Sequence, residues 1–434
     1  MMGMTRYRAD DLLRHTGILF FGMVVVHLCN LLFQMAVSRA LPENEYALLA
    51  AFLGVLLIIQ KPLSTLSTSI SHYSSLLAKE GRAGDVKRLT RKWMLLSGTP
   101  ALLLGAAAVF WHQPLTSFLH LDRPEPVLVA GLILPALFWV PVLTGAGQGL
   151  QLFKWCSAAT IFGAVLRLGL GAGFVWFLYP ACGWAMLGHG LGLYAAAGLL
   201  LVGILWMLRH HKTSTTRLPS MRHYLLQSFF VIAAFAVLMT ADVVLVKHLV
   251  PHDTEFAYAA TLSRVIVFIP GVIVTAMFPK VTSRGRASVE QKRIFITSFS
   301  WTALFAITAA LVSFPLAGPL AHLIFGIRDA SPHLKTMIGV MALVMSLSAL
   351  LHVTVQFLLA QRRFAAAMPT VVCSIVYVAG VMLSSHETRT VVLWAALANA
   401  CALLCGLGSI LRRSSSSREH APDKASWGTD GKNR

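Results

Sequence analysis

The stretch HYLLQSFFVIAAFAVLMTADVVLVKHLVPHDTEFAYAATLSRVIVFIPGVIVTAMFPKVTSRGR, residues His223 to Arg286, decides the fold. It holds two apolar spans, Leu225–Val250 and Ala257–Lys280, joined by the polar turn Pro251-His252-Asp253-Thr254-Glu255. An α-helix needs about 20 predominantly apolar residues to cross roughly 30 Å of hydrocarbon, and each span supplies that. The pair therefore reads as an antiparallel membrane hairpin. Each arm carries one charge, Asp242 in the first and Arg264 in the second. A charge at a bilayer centre costs at least about 2.5–3.5 kcal/mol, so its presence needs a partner or a function. Asp242 lies nine residues before Pro251 and Arg264 thirteen after it, so a hairpin sets them at similar depth. Opposite charges at one depth imply an ion pair or a polar cavity that wets both. Pro270-Gly271 interrupts the second arm, and Phe278-Pro279-Lys280 closes it before a basic loop. Proline in a membrane helix frees a carbonyl that neighbouring protein or cavity water must satisfy. The hairpin reads as the wall of a transport pathway.

Composition extends this reading to the whole chain. Of 434 residues, 56% are hydrophobic and 12% charged, where a soluble domain carries about 25% charged residues. The chain is an integral membrane protein. Cys29, Cys156, Cys182, Cys373, Cys401 and Cys405 all fall in apolar segments without metal-type spacing, so neither a disulfide framework nor a metal site is indicated. The first apolar run, Gly17–Leu41, is followed directly by another, which suits a retained first helix better than a cleaved signal.

Twelve runs are long enough to span: 17–41, 46–68, 93–111, 126–147, 157–179, 182–208, 225–250, 257–280, 294–324, 334–360, 367–384 and 388–411. The ninth is overlong and carries Pro315 and Pro319, and the eleventh is short. Loop charge tests the count independently. Of 36 Lys and Arg, 27 fall in alternate loops and the two termini, 6 in the remaining loops and 3 inside spans. That alternation is what the positive-inside rule requires, and it sets both termini in the cytoplasm. The net charge of +19 is thereby a topology signal, and nucleic acid is not needed as a partner.

Residues 209–222 form the polar break nearest mid-chain, with six spans on either side. The halves echo each other. Arg39-Ala40-Leu41-Pro42, two acids and Tyr46 match His248-Leu249-Val250-Pro251, two acids and Tyr258, and each is followed by a helix with an internal proline, Pro62 or Pro270. An even number of spans per half gives both halves one orientation, so the expected repeat is parallel, about an axis along the membrane normal. The expected division is 1–212 and 213–413 as two six-helix lobes. The Ser-rich tail 414–434 is expected to be disordered.

Five residues are candidates for the substrate path. Lys61 precedes Pro62 and lies fifteen residues inward from Tyr46, about 22 Å at helical rise. It either snorkels to headgroups or faces a central cavity between the halves. Arg264 is either paired with Asp242 or free to contact substrate. Asp242, alone among 17 acids in falling inside a span, is a proton or cation site or the neutraliser of Arg264. Arg167 stands mid-span among Gly163, Gly169, Gly171 and Gly173 and is either structural or a substrate contact. Arg39 and Lys247 end the first and seventh spans, where interface anchoring is expected. Asn30, Gln34, His189, His352, Gln356 and Asn399 are expected to bond between helices, and Gly188 and Gly192 to permit close helix approach. No paired carboxylates, Gly-x-Ser-x-Gly elbow, phosphate loop or His-Glu-x-x-His occur, so catalysis is unsupported and no cofactor is expected.

Phe33-Gln34, Arg39, Pro42, Tyr46 and Pro62, with Asp242, Pro251, Tyr258, Arg264, Pro270 and Phe278-Pro279-Lys280, carry a resemblance. In this order, on twelve spans arranged six plus six, the pattern resembles the MOP exporter superfamily, and within it the polysaccharide or O-antigen flippases. The resemblance implies a V-shaped cavity between two lobes. It also implies a bacterial inner-membrane location and a polyprenyl-pyrophosphate-linked oligosaccharide as substrate. Partners would be membrane lipids and other polysaccharide assembly proteins. Related lipid II flippases have a cationic cavity, a role that Lys61 and Arg264 match, although few intramembrane cations are present. The rivals are a cation-coupled multidrug antiporter of the same superfamily, which would want acids in its cavity, and a membrane glycosyltransferase or polymerase, which would want long outer loops.

The topology is checked with single cysteines on a background without the native ones, labelled in intact cells by an impermeant thiol reagent. Positions 122 and 329 should label and positions 82, 217 and 286 should not. Labelling at 217 but not 122 would end the twelve-span topology.

Overall fold

Hydrocarbon offers a backbone no hydrogen-bond partners, so a chain this apolar satisfies its peptide groups within helices. The computed structural model of the chain describes residues 9–121, 123–211, 213, 222–282 and 289–419, and every regular element among them is helical. The first half supplies α1 (Ala9–Ala40), α2 (Glu43–Lys79), α3 (Ala83–Phe110), α4 (His112–Phe118), α5 (Glu125–Gly149), α6 (Phe153–Phe177) and α7 (Cys182–Leu208). The second half begins with α8 (Arg222–Leu249), α9 (Glu255–Ser263), α10 (Val265–Thr282) and α11 (Val289–Ser313). It continues with α12 (Ala317–Phe325), α13 (Pro332–Ala360), α14 (Phe364–Leu383) and α15 (Thr388–Glu419).

Eleven of these helices are individually long and apolar enough to cross a bilayer. The twelfth expected span, the eighth in order, is present as α9 and α10 with a one-residue break at Arg264. The overlong ninth span divides where its prolines indicated. Helix α11 stops before Phe314-Pro315-Leu316, and Pro319 sits in the first turn of α12, where its missing N–H removes no helical bond. Gly326 then ends α12 at φ +79°, a left-handed conformation that glycine adopts without strain. Helix α15 runs to Glu419, six residues into the tail expected to be disordered. Extending an anchored helix adds one bond per residue ordered, and no proline or glycine intervenes. Residues 420–434 of that tail, and Lys212 and 214–221 of the mid-chain break, lie outside the described residues.

The helices sort into the two expected lobes. In the first, α6 packs on α7 and α1, and α5 packs on α2, α3 and α7. In the second, α13 is central, packing on α10, α11, α9 and α15, while α14 packs on α15 and α8. Between lobes the main contact is α2 against α8, with smaller ones from α2 to α9 and α1 to α12. One buried core spans both lobes, from Phe33, Tyr46 and Leu49 to Phe235, Tyr258 and Phe325. A second, around Ile70, Leu89, Leu143 and Leu200, belongs to the first lobe except for Leu225 at the start of α8. The lobes thus share a core at the end holding Tyr46 and Tyr258, called the sealed end below, and keep separate cores toward the other.

Glycine lets α6 and α7 meet backbone to backbone: a Cβ on Gly188 would collide with the main chain of Gly171, and one on Gly192 with the carbonyl of Gly163. Gly188→Leu should therefore lower the thermal unfolding temperature in detergent, by an overpacking cost of about 1–3 kcal/mol or more. Gly198→Ala on the same helix, where a Cβ meets nothing within 4 Å, should leave it nearly unchanged. Equal effects at both positions would mean that close α6–α7 contact is not what limits stability.

Candidate functional site

The sealed end is built from the two turns that echo each other in sequence. Glu43 opens α2 and Glu255 opens α9, and three residues later each helix presents a tyrosine. Tyr46 and Tyr258 stack across the lobe boundary with centroids 4.5 Å apart and planes 11° apart, and Phe325 packs on both rings. Polar bonds surround this aromatic cluster. Lys247 Nζ donates to Asn44 Oδ1 at 2.5 Å and Thr254 Oγ1 to Glu43 Oε2 at 3.2 Å. Arg39 Nη2 donates to the Leu323 carbonyl at 2.6 Å, at the negative end of the α12 dipole. His248 stacks on Phe118 and donates from Nδ1 to its carbonyl at 2.6 Å, while His120 Nε2 donates to the His248 carbonyl at 3.0 Å. Arg39 and Lys247, expected as interface anchors, each bond across the lobe boundary. Lys247 is buried and Arg39 exposed, and for both the acceptor comes from the opposite lobe.

Inside the second lobe, Asp242 of α8 and Arg264 at the α9–α10 break form an ion pair of 2.5 Å, buried on both sides. The depth argument from the hairpin anticipates this pair. Asp242 Oδ2 and Arg264 Nε remain unbonded, as does the buried hydroxyl of Tyr377 on α14, an electrostatic neighbour of both. Asn399 of α15 braces the region, donating to the Leu238 carbonyl at 3.2 Å and accepting from Ser348 Oγ at 2.9 Å.

Lys61 stands apart from that pair. Its electrostatic neighbours are His27 on α1 and His352 on α13, whereas those of Arg264 are Asp242, Tyr46 and Tyr377. Arg264 is bonded to Asp242 of its own lobe, and no hydrogen bond or ion pair links it to Lys61 among the described residues. Lys61 is half-buried and has no hydrogen bond or ion pair among the described residues. His352 is buried, stacked on Phe235 at 4.9 Å, with Nδ1 unbonded. Arg167 lies in the first lobe, donating from Nη1 to Asn30 Oδ1 at 3.0 Å, with its guanidinium 4.3 Å over the Phe33 ring. It too has no carboxylate partner among the described residues.

The sequence does not show the sealed end as a unit. Its signal was present in the repeated Glu-x-x-Tyr, which marks two equivalent positions without saying that they touch.

No family model matches the sequence, and no curated protein matches it. Solved structures do match. An inward-facing multidrug resistance MATE family transporter of the MOP superfamily is 14% identical, with a TM-score of 0.71 over 94% of this chain and 100% of that one. An outward-facing conformation of such a transporter gives 0.66 at 14% identity, over 94% and 96%. The lipid II flippase MurJ, in an inward closed conformation, gives 0.63 at 14% identity, over 92% and 87%. The likeness is one of fold: the chain has the two-lobe, all-helical architecture of the MOP superfamily transporters.

Removing one member of a buried pair strands the other charge, typically at about 3–5 kcal/mol, whereas removing both is often nearly neutral. Asp242→Asn and Arg264→Gln should each lower stability in detergent unfolding, and the double variant should recover most of the loss. Additive losses in the double variant would mean that the two side chains do not depend on each other.

Proposed function

We propose that the chain is a flippase that moves polyprenyl-pyrophosphate-linked oligosaccharide from the cytoplasmic to the outer leaflet by alternating access. It would act in the bacterial inner membrane with both termini in the cytoplasm, alongside other polysaccharide assembly proteins. The observation that carries this is the charge balance within the spans. The one intramembrane acid, Asp242, is neutralised by Arg264, while Lys61 and Arg167 have no counter-ion among the described residues. An interior with surplus positive charge favours an anionic cargo. A diphosphate bearing sugars cannot cross hydrocarbon without partners for its charge and hydroxyls. Cations in a polar passage replace its hydration with charge-assisted hydrogen bonds, and the polyprenyl tail stays in lipid.

On the loop-charge topology the sealed end faces outward, so the lobes part toward the cytoplasm. The higher fold similarity to an inward-facing transporter supports the same state. Rocking the lobes would break the aromatic seal and expose the passage to the other face.

The second reading, a cation-coupled multidrug antiporter, is supported by the fold likeness to MATE transporters. It needs an acid free to bind a cation, and Asp242 is already paired.

Lys61→Ala tests the two against each other. Under the flippase reading the variant inserts normally, polymer export stops and lipid-linked repeat units accumulate inside, while efflux of cationic dyes is unaffected. Normal export by Lys61→Ala at native expression, together with loss of dye efflux when the chain is deleted, would establish the antiporter instead.

A further inference from the structure

In the first lobe, α1 packs on α6, α6 on α7, α7 on α5 and α5 on α2, but consecutive α1 and α2 hardly touch. The ring of helices is therefore weakest between α1 and α2. Polar side chains of α1, α2, α6 and α7 neighbour one another in turn within the lobe. Arg167 of α6 bonds Asn30 of α1, as described, and its Nε is buried without a partner. Gly192 faces the Arg167 Cβ, so α7 closes tightly on α6 and brings His189 within electrostatic reach of the guanidinium. The Nδ1 of His189 is likewise buried and unbonded. His27 lies three residues before Asn30, on the same face of α1, and neighbours Lys61 of α2. A chain of groups thus runs from Lys61, which also neighbours His352 of α13 in the second lobe, through His27 and Asn30 to Arg167 and His189.

No described acid of this lobe opposes them. Glu43 and Glu45 lie in the first turn of α2, and Glu45 accepts from the backbone N–H of Cys182 at the start of α7. Glu80 and Asp85 flank the α2–α3 turn, where Asp85 is bridged to Arg82 and Arg88, and Glu125 opens α5. A guanidinium held in a membrane lobe by one amide and one aromatic face, with donor capacity left over, is poised for an anion from outside the chain.

We propose that the inner side of the first lobe, toward α13 of the second, is an anion-binding site in which Lys61 and Arg167 hold the diphosphate headgroup of the cargo. Asn30 and Phe33 orient the guanidinium, and His27 and His189 supply further donors. This rests on the reading of the cargo as anionic, and it moves the headgroup away from Arg264, which already has a counter-ion. A diphosphate carries two charged groups, one for each cation. The Arg167 fork suits a phosphate oxygen pair, and Lys61 serves as a point charge.

The test uses the full chain in phosphatidylcholine nanodiscs, with farnesyl diphosphate as the calorimetric probe. Lys61→Met and Arg167→Met should each weaken binding about tenfold or more, the loss of one charge-assisted contact. The Asp242→Asn/Arg264→Gln double variant should stay within about twofold of the parent. Arg167→Met should also unfold no earlier than the parent without ligand, since it strands no counter-ion, whereas a structural brace would lose stability when cut. Parent-like binding by Arg167→Met, or loss of binding in the Arg264 variant instead, would overturn this site and leave the flippase reading standing. Failure of the parent to bind farnesyl diphosphate at all would remove the anionic cargo and the site with it. Displacement of the probe by an equal amount of phosphatidylglycerol would reassign the site to a lipid headgroup and overturn the cargo assignment.

Discussion

Where α2 packs on α8 and α9, the two lobes meet face to face in the stack of Tyr46 on Tyr258, and the other bonds of that end are arranged around it. Two repeats related by an axis along the membrane normal present equivalent residues to each other only near that axis. A flat aromatic ring suits such a place, because it offers a large apolar face to a copy of itself and has few rotamers to restrict. Around the rings the bonding is not symmetric. Lys247 finds Asn44, Thr254 finds Glu43, and Arg39 finds a carbonyl at the end of α12. The aromatic contact sets where the lobes meet, and the polar bonds set the angle at which they do.

Charge is distributed unequally between the lobes. The second settles its only buried acid with Arg264 inside a tightly braced region of α8, α13, α14 and α15. The first keeps Arg167 against an amide and an aromatic ring, and Lys61 without a bonded partner. In a medium where an isolated charge is this costly, the difference is the basis of the proposed division: a second lobe whose buried acid is paired and a first lobe that takes the ligand.

Much of the architecture was legible in the sequence, because a bilayer leaves few choices. Length and hydropathy located the spans, and Pro315 marked where the ninth would divide. The Asp242–Arg264 pair followed from counting residues away from Pro251. Contacts between distant segments did not follow, since nothing local in α2 says that Asn44 will meet Lys247, or in α13 that His352 will lie near Lys61. Nor does spacing say which groups Lys61 and Arg264 will each neighbour. Depth along a helix can be read from spacing, but the direction a side chain faces depends on how the helix is rotated by its neighbours.

Helix α2 runs unbroken for 37 residues, past its own proline, with Tyr46 near one end and Lys61 midway. At helical rise it is a rod of about 55 Å, longer than the bilayer core is thick. A rod held at Tyr46 and tilted by roughly 15°, a common size for rigid-body rotations, displaces a point about 22 Å away by roughly 6 Å. Lys61 is that point. Under the proposed alternating access the helix is a lever with the seal at its pivot and a charge on its arm, so that parting the lobes and shifting the ammonium would be a single mechanical event.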